Sequence, residues 1–282
     1  MIIKKSMGLT CSIISTIFIF IPESFFKGYE WLSQDTLKKY SYFPDFNFQD
    51  LNIIFSRLAC VISIYIIVTI SYSLYLFLRK KIIIKGPNYE LVIEYGDIFK
   101  KKNYKRVISF DECFTTKVGN KVGEINAKSI CGQYLTKNQD LDIQQLLNDH
   151  EIKPARGASR YKKKVRYRSG TIVPNGDDLL MAFAELDESG KGRFFSRDDY
   201  IKCLDFLWQE LENYSSEEDV CIPILGSGTT SFNSVSGASI SKKELLDIII
   251  LSYKLSSHKI KLPNKLHIIC QKTADFSIND IG

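Results

Sequence analysis

Residues 220–230, VCIPILGSGTT, join a short apolar run to a glycine-rich loop. An apolar run of this length that ends in glycines is typical of a strand buried on both faces of a sheet. A helical pattern follows, with Ser241 in the cap position and Glu244 placed to complete a capping box. A strand, a loop and a helix in this order predict one unit of an α/β domain.

Strand and helix patterns alternate along the chain from Lys81 onward. A helical pattern occupies residues 198–213, and strand patterns occupy residues 89–95, 106–110, 171–173 and 266–270. Residues 179–186 (LLMAFAEL) are apolar on both faces, so they fit either a buried strand or a buried helix. The alternation predicts a three-layer α/β/α domain with a largely parallel sheet over residues 82–282.

Two uncharged stretches precede this domain, at residues 6–22 and 58–78. The second is long enough to cross a hydrocarbon core of ~30 Å as a helix. The first is shorter, and Lys4 and Lys5 before it also fit a secretory signal peptide, but no small-residue cleavage site follows it. We expect both stretches to span a membrane, so that residues 1–81 form a two-helix transmembrane hairpin.

The distribution of charge predicts the orientation of this hairpin. Lysines and arginines flank both of its ends, whereas the connecting loop, residues 23–57, holds more acidic than basic residues. Because excess basic residues remain on the cytoplasmic side, we expect the C-terminal domain in the cytoplasm. The chain's seven cysteines are scattered, which agrees with a reducing compartment and argues against a disulfide scaffold.

Two loops follow strands at positions where α/β domains bind ligands. The loop Gly226-Ser227-Gly228-Thr229-Thr230 would let a diphosphate approach its backbone. Asp97, after the strand at residues 89–95, could accept a hydrogen bond from an adenine amino group. The plainer alternatives stay open at this point: a simple turn for the glycines, and a helix N-cap for Asp97.

Patterns for catalysis and for metal binding are weak. His150, His258 and His267 lie far apart in sequence, and no serine-hydrolase, Walker A or zinc-protease motif is present. Residues 187–198 have the length of a calcium-binding loop, but Lys191 occupies a ligand position. Binding without catalysis is therefore the better expectation.

A basic run at residues 153–168 contains eight lysines or arginines and no acidic residue. Such a run could bind nucleic acid. In a domain attached to a membrane, anionic lipid headgroups or plain solvent are the better expectations. We therefore expect no nucleic-acid partner.

The order and spacing of these motifs resemble the macro domains, a family of α/β modules that bind ADP-ribose. The resemblance is carried by Gly96-Asp97-Ile98, Ser129-Ile-Cys-Gly132, Gly170-Thr-Ile and Ile222-Pro-Ile-Leu-Gly-Ser-Gly228. It is closest to the ThsA effectors of Thoeris antiphage defence, in the membrane form (type II) with two transmembrane helices before a divergent macro domain. It covers the chain from residue 81 to residue 282.

The resemblance implies a ligand site. Asp97 would bind the adenine amino group, the loop after residue 225 would wrap the diphosphate, and Phe232 would pack on the distal ribose. In hydrolytic macro domains the loop equivalent to residues 111–116 carries asparagines and a run of glycines, but Asp111 and Glu112 stand here instead. That departure implies a receptor, with no catalytic residue, metal or cofactor. The implied ligand-binding residues are Asp97, Ile98, Asp111, Phe114, Thr115, Gly132, Gly226, Ser227, Gly228, Thr229, Thr230 and Phe232.

The resemblance also implies a relay. A TIR-domain partner would consume NAD to make an ADP-ribose signal of the histidine-linked class. The macro domain would bind this nucleotide second messenger, and the effector would form a homo-oligomer and disrupt the bacterial inner membrane, causing cell death or arrest. Two alternatives remain: a membrane-tethered ADP-ribosyl hydrolase, and a structural membrane protein whose soluble domain binds a protein partner.

Overall fold

The computed structural model describes residues 8, 10–16, 22–28, 48–194, 196–214, 218–228, 230–232, 240–274 and 276–281 of the chain. Spatial contacts divide the chain into two compact units, Met1–Arg79 and Lys80–Gly282. The first unit contains the predicted membrane segments, and the second contains the predicted α/β domain.

The N-terminal unit is built around one long helix, α1 (Phe48–Leu78). Among the described residues, Asp50–Leu78 is the one helix that is long and apolar enough to cross a membrane. The helix begins well before the predicted span at residues 58–78. The reason is that hydropathy marks the part of a helix suited to lipid, whereas the helix itself continues through more polar residues such as Asp50 and Arg57.

Part of the other predicted span, residues 6–22, is also helical. Residue 8 and residues 10–16 are helical, and most of the remaining residues of this span lie outside the described residues. A short 3₁₀ helix, Glu23–Gly28, follows, and its Phe26 is buried with the Arg57 guanidinium 5.7 Å from the ring centroid. The two-helix hairpin therefore stays a prediction.

The C-terminal unit is built on a nine-stranded mixed sheet. The strands are β1 (Lys81–Lys85), β2 (Glu90–Tyr95), β3 (Tyr104–Asp111), β4 (Ile172–Asn175), β5 (Asp178–Leu186), β6 (Gly192–Phe194), β7 (Asp219–Pro223), β8 (Ser231–Phe232) and β9 (Leu266–Cys270). Their order is β1-β2-β9-β7-β3-β5-β6-β8, with β4 also paired to β5. The five central strands, from β2 to β5 in this order, are parallel to one another, as predicted.

The described residues of the C-terminal unit include four α-helices: α2 (Ile130–Lys137), α3 (Ile143–Asp149), α4 (Arg197–Tyr214) and α5 (Lys242–Leu255). Buried residues of α4 and α5 belong to one hydrophobic core, and buried residues of α2 and α3 belong to a second. The predicted capping box forms at the start of α5, where Ser241 and Glu244 each bond the other's backbone N–H. The helices thus cover the two faces of the sheet and give the three-layer arrangement.

The ambiguous segment LLMAFAEL forms most of β5. Leu179 and Met181 contribute to the core with α4 and α5, whereas Leu180 and Ala182 contribute to the core with α2 and α3. Neighbouring residues of a strand point to opposite faces, so a strand covered on both sides is apolar throughout. The central position of β5 thus explains why its sequence shows no alternation of apolar and polar residues.

Candidate functional site

The candidate site lies at the edge of the sheet where its parallel strands end. The loop at residues 96–98 follows β2, the loop at residues 111–116 follows β3, and the loop at residues 224–232 follows β7. Because these strands run in the same direction, their carboxyl ends meet at one edge. The fold therefore brings three of the predicted segments to a common side of the domain.

The loop after β7 contains two glycines with different roles. Gly226 has a φ of +82°, and a Cβ at this position would lie 2.8 Å from Cζ of Phe232, so another residue would be strained and crowded. Gly228 is exposed, and a Cβ there would meet no atom of the described residues within 4 Å. Ser227 lies between the two glycines and closes the turn that begins at Ile224. Its amide and its hydroxyl both donate to the Ile224 carbonyl, at 3.2 and 2.6 Å. Thr229 lies outside the described residues.

Phe232 fixes the far end of this loop. Its ring is stacked on Phe194, with centroids 5.7 Å apart and an angle of 15°, and meets Tyr200 edge-on at 5.3 Å. The Tyr200 hydroxyl donates to the Leu225 carbonyl at 3.0 Å. Thr230 lies half-buried just before β8. The Phe232 ring packs against the core, and its predicted contact with a ribose stays a prediction.

Asp97 caps a short 3₁₀ helix, Ile98–Lys100. Its carboxylate is exposed and accepts a hydrogen bond from the Phe99 amide at 3.0 Å. The side chain of Ile98 is buried against Cys221 and Ile269. The structure thus shows the N-cap that the sequence left open, and an adenine contact stays a prediction.

Asp111 organises the loop after β3. Its Oδ1 accepts hydrogen bonds from the amides of Cys113 and Thr115, at 2.8 and 3.2 Å. Burial raises the pKa of the Asp111 carboxyl, and the hydrogen bonds that it accepts act in the opposite direction. The Thr115 hydroxyl lies buried beside this carboxyl and contributes to that lowering effect. The loop after β3 is thus organised around the Asp111 carboxylate.

Phe114 anchors the loop after β3. It has a φ of +49°, and its side chain is buried in the core against Phe110 and Tyr167, at centroid distances of 5.8 and 5.4 Å. The left-handed backbone turns the ring inward, where it anchors the loop. The Phe114 side chain therefore has a packing role, and its predicted contact with a ligand stays a prediction.

Glu112 is a residue whose role the sequence did not reveal. Its Oε1 accepts hydrogen bonds from the Ser159 hydroxyl at 2.5 Å and from the Leu186 amide at 3.1 Å, and Nη1 of Arg166 lies 3.6 Å from its Oε2. The carboxylate thus fastens the basic run at residues 153–168 to the end of β5. Its two hydrogen-bond partners lie 47 and 74 positions away, so no local pattern could indicate them.

Cys113 directly follows these two acids in the chain. Burial, together with the negative charges of Asp111 and Glu112, raises the pKa of its thiol to about 11, although a hydrogen bond with Ser159 acts in the opposite direction. The thiol is therefore protonated at neutral pH and is a poor nucleophile.

Gly132 lies in the first turn of α2. A Cβ at this position would lie 2.1 Å from the Asn126 carbonyl oxygen, so the glycine allows the preceding loop to pack closely on the helix. Its amide donates to the Ser129 hydroxyl at 3.0 Å and completes the helix cap. Packing and capping account for this residue, and a contact with ligand stays a prediction.

A cavity of about 340 Å³ lies between α2 and the segment that follows the loop after β3. Its lining residues are Thr116, Val118, Leu135, Thr136, Asn138, Gln139 and Leu141. None of the predicted ligand-binding residues lines this cavity, but Thr116 belongs to the loop after β3, so the cavity adjoins the candidate site.

Comparisons with known proteins agree on the C-terminal unit. The family model described as Thoeris protein ThsA, macro domain, matches residues 91–271. The Thoeris protein ThsA of Bacillus amyloliquefaciens (strain Y2) is 26% identical over 203 residues, which cover 67% of this chain and 65% of that protein. This chain thus spans just under two thirds of that relative's length.

Two solved structures are also similar. The Oceanobacillus iheyensis macrodomain with MES bound has 12% identity and a TM-score of 0.42, over 69% of this chain and 90% of that chain. The macrodomain of Thermus aquaticus DarG has 12% identity and a TM-score of 0.34, over 65% of this chain and 98% of that chain.

Proposed function

Because the chain belongs to the family of Thoeris ThsA macro domains, we propose that it is an antiphage defence effector whose C-terminal unit binds an ADP-ribose derivative. The observation that carries this proposal is the loop after β7, where the exposed Gly228 leaves its backbone open to a ligand. A diphosphate is bound well by backbone N–H groups that it can approach closely. The loop after the neighbouring strand β3 lies at the same edge of the sheet.

The ligand that we propose is histidine-linked ADP-ribose, made by a TIR-domain partner from NAD. We propose a receptor rather than a hydrolase, because the acids of the loop after β3 are engaged in structure. Oδ1 of Asp111 holds the amides of its own loop, and Glu112 holds Ser159 and Leu186. A carboxylate in such contacts is poorly placed to activate a water molecule.

Membrane attachment is part of the proposal. In the most apolar part of α1 only 6% of the residues are buried, whereas the core helix of a soluble protein is mostly buried. We propose that α1 anchors the chain in the bacterial inner membrane with the macro domain in the cytoplasm. Ligand would then drive oligomerisation and membrane disruption, to the extent that it binds the assembled state more tightly than the resting one.

Thermal unfolding of the detergent-solubilised full chain tests the ligand. ADP-ribose, histidine-linked ADP-ribose and NAD are added separately, and the ligand is recovered for mass analysis. Saturation at a hundred times the dissociation constant adds about 2.7 kcal/mol to the free energy of unfolding. We expect the histidine conjugate to give the largest shift and to be recovered intact. Recovery of cleaved ligand would instead indicate a hydrolase, and no shift with any of the three would refute nucleotide binding.

The variant Gly228→Val tests the site. Because a Cβ here meets no described atom within 4 Å, we expect the ligand-free protein to unfold at its normal temperature while the ligand-induced shift is lost. Gly228→Ala is the matched small substitution and should weaken binding less. In cells, Gly228→Val should also abolish toxicity on infection, and toxicity that persists would contradict the role of this loop. Gly226→Val is unsuitable, because crowding against Phe232 would disturb the fold itself.

A further inference from the structure

The basic run at residues 153–168 folds as an ordered hairpin, which we call the basic hairpin. The Ser159 amide donates to the Lys164 carbonyl at 2.9 Å, and Ala158 forms an antiparallel bridge with Val165. The sequence alone offered a solvated loop as one alternative for this segment. The backbone pairing gives the segment a defined main-chain conformation instead.

The tip of the basic hairpin is a tight turn with Lys162 and Lys163 at its two central positions. Both lysines have a φ of +51°, and the Lys164 amide donates to the Tyr161 carbonyl at 3.3 Å, which closes the turn. Turns with two left-handed residues belong to type I′, which favours Asn-Gly because other side chains are crowded in this conformation. Two lysines here make the turn less stable than Asn-Gly would, so the positive charge at the tip is kept at a cost to the stability of the fold.

The hairpin is also held firmly on the domain. Glu112 bonds its Ser159 and lies 3.6 Å from Arg166, as described above. The Tyr161 ring packs against the neighbouring loop, where a Cβ at Gly123 would lie 2.3 Å from the Tyr161 hydroxyl oxygen. The lysines at the tip are therefore presented on a preorganised surface.

This surface combines positive charge with exposed apolar side chains. Val165 of the hairpin and Val122 of the neighbouring loop are each 59% exposed. The exposed basic residues of the hairpin are Lys153, Arg156, Arg160, Lys162, Lys163 and Arg168. Basic residues with adjoining apolar ones bind anionic lipid surfaces, since the charges attract headgroups and the apolar groups enter the interface. Binding of single-stranded nucleic acid relies instead on exposed aromatic rings, and the Tyr161 ring is packed.

We propose that the basic hairpin binds the anionic headgroups of the membrane to which the chain is anchored. Only Arg79 and Lys80 separate the end of α1 from the start of β1, so the anchor keeps the domain close to a bilayer surface. The inference rests on the membrane anchoring proposed for α1 and is independent of the nucleotide. It adds a second membrane contact, made by the soluble domain, to the anchor itself.

Lysine acetylation of the full chain in nanodiscs, measured by mass spectrometry, tests the proposal. Discs of phosphatidylcholine are compared with discs that also contain phosphatidylglycerol. We expect acetylation of Lys162 and Lys163 to be about fivefold slower in the anionic discs and to recover at high salt. Lys243 and Lys254, both exposed on α5, are internal controls that should not respond.

Equal acetylation of the tip lysines in both kinds of disc would overturn the proposal. Protection by a single-stranded oligonucleotide without protection by phosphatidylglycerol would overturn it in favour of a nucleic-acid partner. A chain that fails to enter discs would overturn both the anchoring and this inference. Absence of ADP-ribose binding, in contrast, would leave the expected protection unchanged, so the two proposals fail separately.

The double variant Lys162→Asn, Lys163→Gly separates charge from folding. Because Asn-Gly relieves the crowded turn, we expect the unfolding midpoint to rise by about 4 °C. Lys153, which is also exposed on the hairpin, should be protected by phosphatidylglycerol in the parent chain and should lose that protection in the double variant. The matched control, Lys243→Gln with Lys254→Gln, removes two charges from α5 and should keep that protection. A lowered midpoint, or protection that survives the tip substitution, would contradict the inference.

Discussion

A single carboxylate, that of Glu112, joins the loop after β3 to the end of β5 and to the basic hairpin. Replacing it with alanine would leave the Leu186 amide and the Ser159 hydroxyl without their acceptor in a buried place. We expect Glu112→Ala to lower the free energy of unfolding by about 3 kcal/mol, measured by urea denaturation. Glu112→Gln keeps an acceptor oxygen and should cost about 1 kcal/mol.

Glu188→Ala is the control for this pair, because Glu188 is an exposed acid in the turn after β5. Surface substitutions of this kind usually change stability by less than about 0.5 kcal/mol. Equal effects of Glu112→Ala and Glu188→Ala would show that the carboxylate of Glu112 does not hold the loops together.

Individual residues show where sequence reasoning works and where it stops. The N-cap alternative for Asp97 was visible in the sequence, because a cap depends on residues two or three positions away. The inward position of Phe114 was not visible, since it depends on a left-handed backbone set by contacts with Phe110 and Tyr167. Long-range contacts decide the roles of the residues in the loop after β3.

At the scale of elements, a polar cluster links three central strands. His267 of β9 has its Nδ1 2.7 Å from Oε1 of Glu94 in β2 and its Nε2 3.2 Å from Oδ2 of Asp219 in β7. The Lys101 ammonium lies 2.6 Å from the same oxygen of Glu94, and the Tyr104 ring meets the imidazole edge-on at 5.0 Å. The sequence placed His267 correctly within its strand, but it could not indicate the two carboxylates.

This cluster makes stability depend on pH. Burial by itself would raise the pKa of the Glu94 carboxyl, but hydrogen bonds from Lys101 and His267 outweigh it and lower the pKa below the usual 4.5. The ionised carboxylate therefore stabilises the fold above about pH 4.5, and this contribution is lost as the pH falls through the lowered pKa. We expect Glu94→Gln to be less stable than the parent chain at pH 7 and to lose less stability between pH 5 and pH 3.

Urea unfolding at several pH values measures this difference. The control is Glu188→Gln, whose exposed side chain should leave the pH profile of the parent chain unchanged. Profiles of Glu94→Gln and the parent that run parallel below pH 5 would refute the role of this carboxylate.

The elements that the sequence predicted are the longer or better bounded ones. The strand at residues 266–270 and the capped helix α5 were predicted almost to the residue, because apolar runs and capping boxes are local signals. The short helices α2 and α3 and the strands β1, β6 and β8 were missed. Short elements contain too little of a period to be recognised, and packing on the sheet stabilises them.

At the scale of the whole molecule, hydropathy divides the chain into an apolar N-terminal part and a globular part, and spatial contacts separate Met1–Arg79 from Lys80–Gly282. This division follows from composition alone, because α1 is a long run of apolar residues, most of which are not buried in the structure. The arrangement of the N-terminal segments was not open to the same reasoning, since packing between apolar helices depends on shape rather than on hydropathy.

The division into two units predicts that the C-terminal unit folds by itself. All three hydrophobic clusters of that unit lie within residues 82–281, and no member of them comes from the described residues of the N-terminal unit. We therefore expect a fragment of residues 80–282 to be monomeric without detergent and to unfold cooperatively at the midpoint of the full chain. Its response to ADP-ribose derivatives should match that of the full chain, since the candidate loops all lie within it. A fragment that aggregates or unfolds without cooperativity would show that the N-terminal unit completes its fold, whereas a folded fragment that no longer binds would place part of the ligand site outside the macro domain.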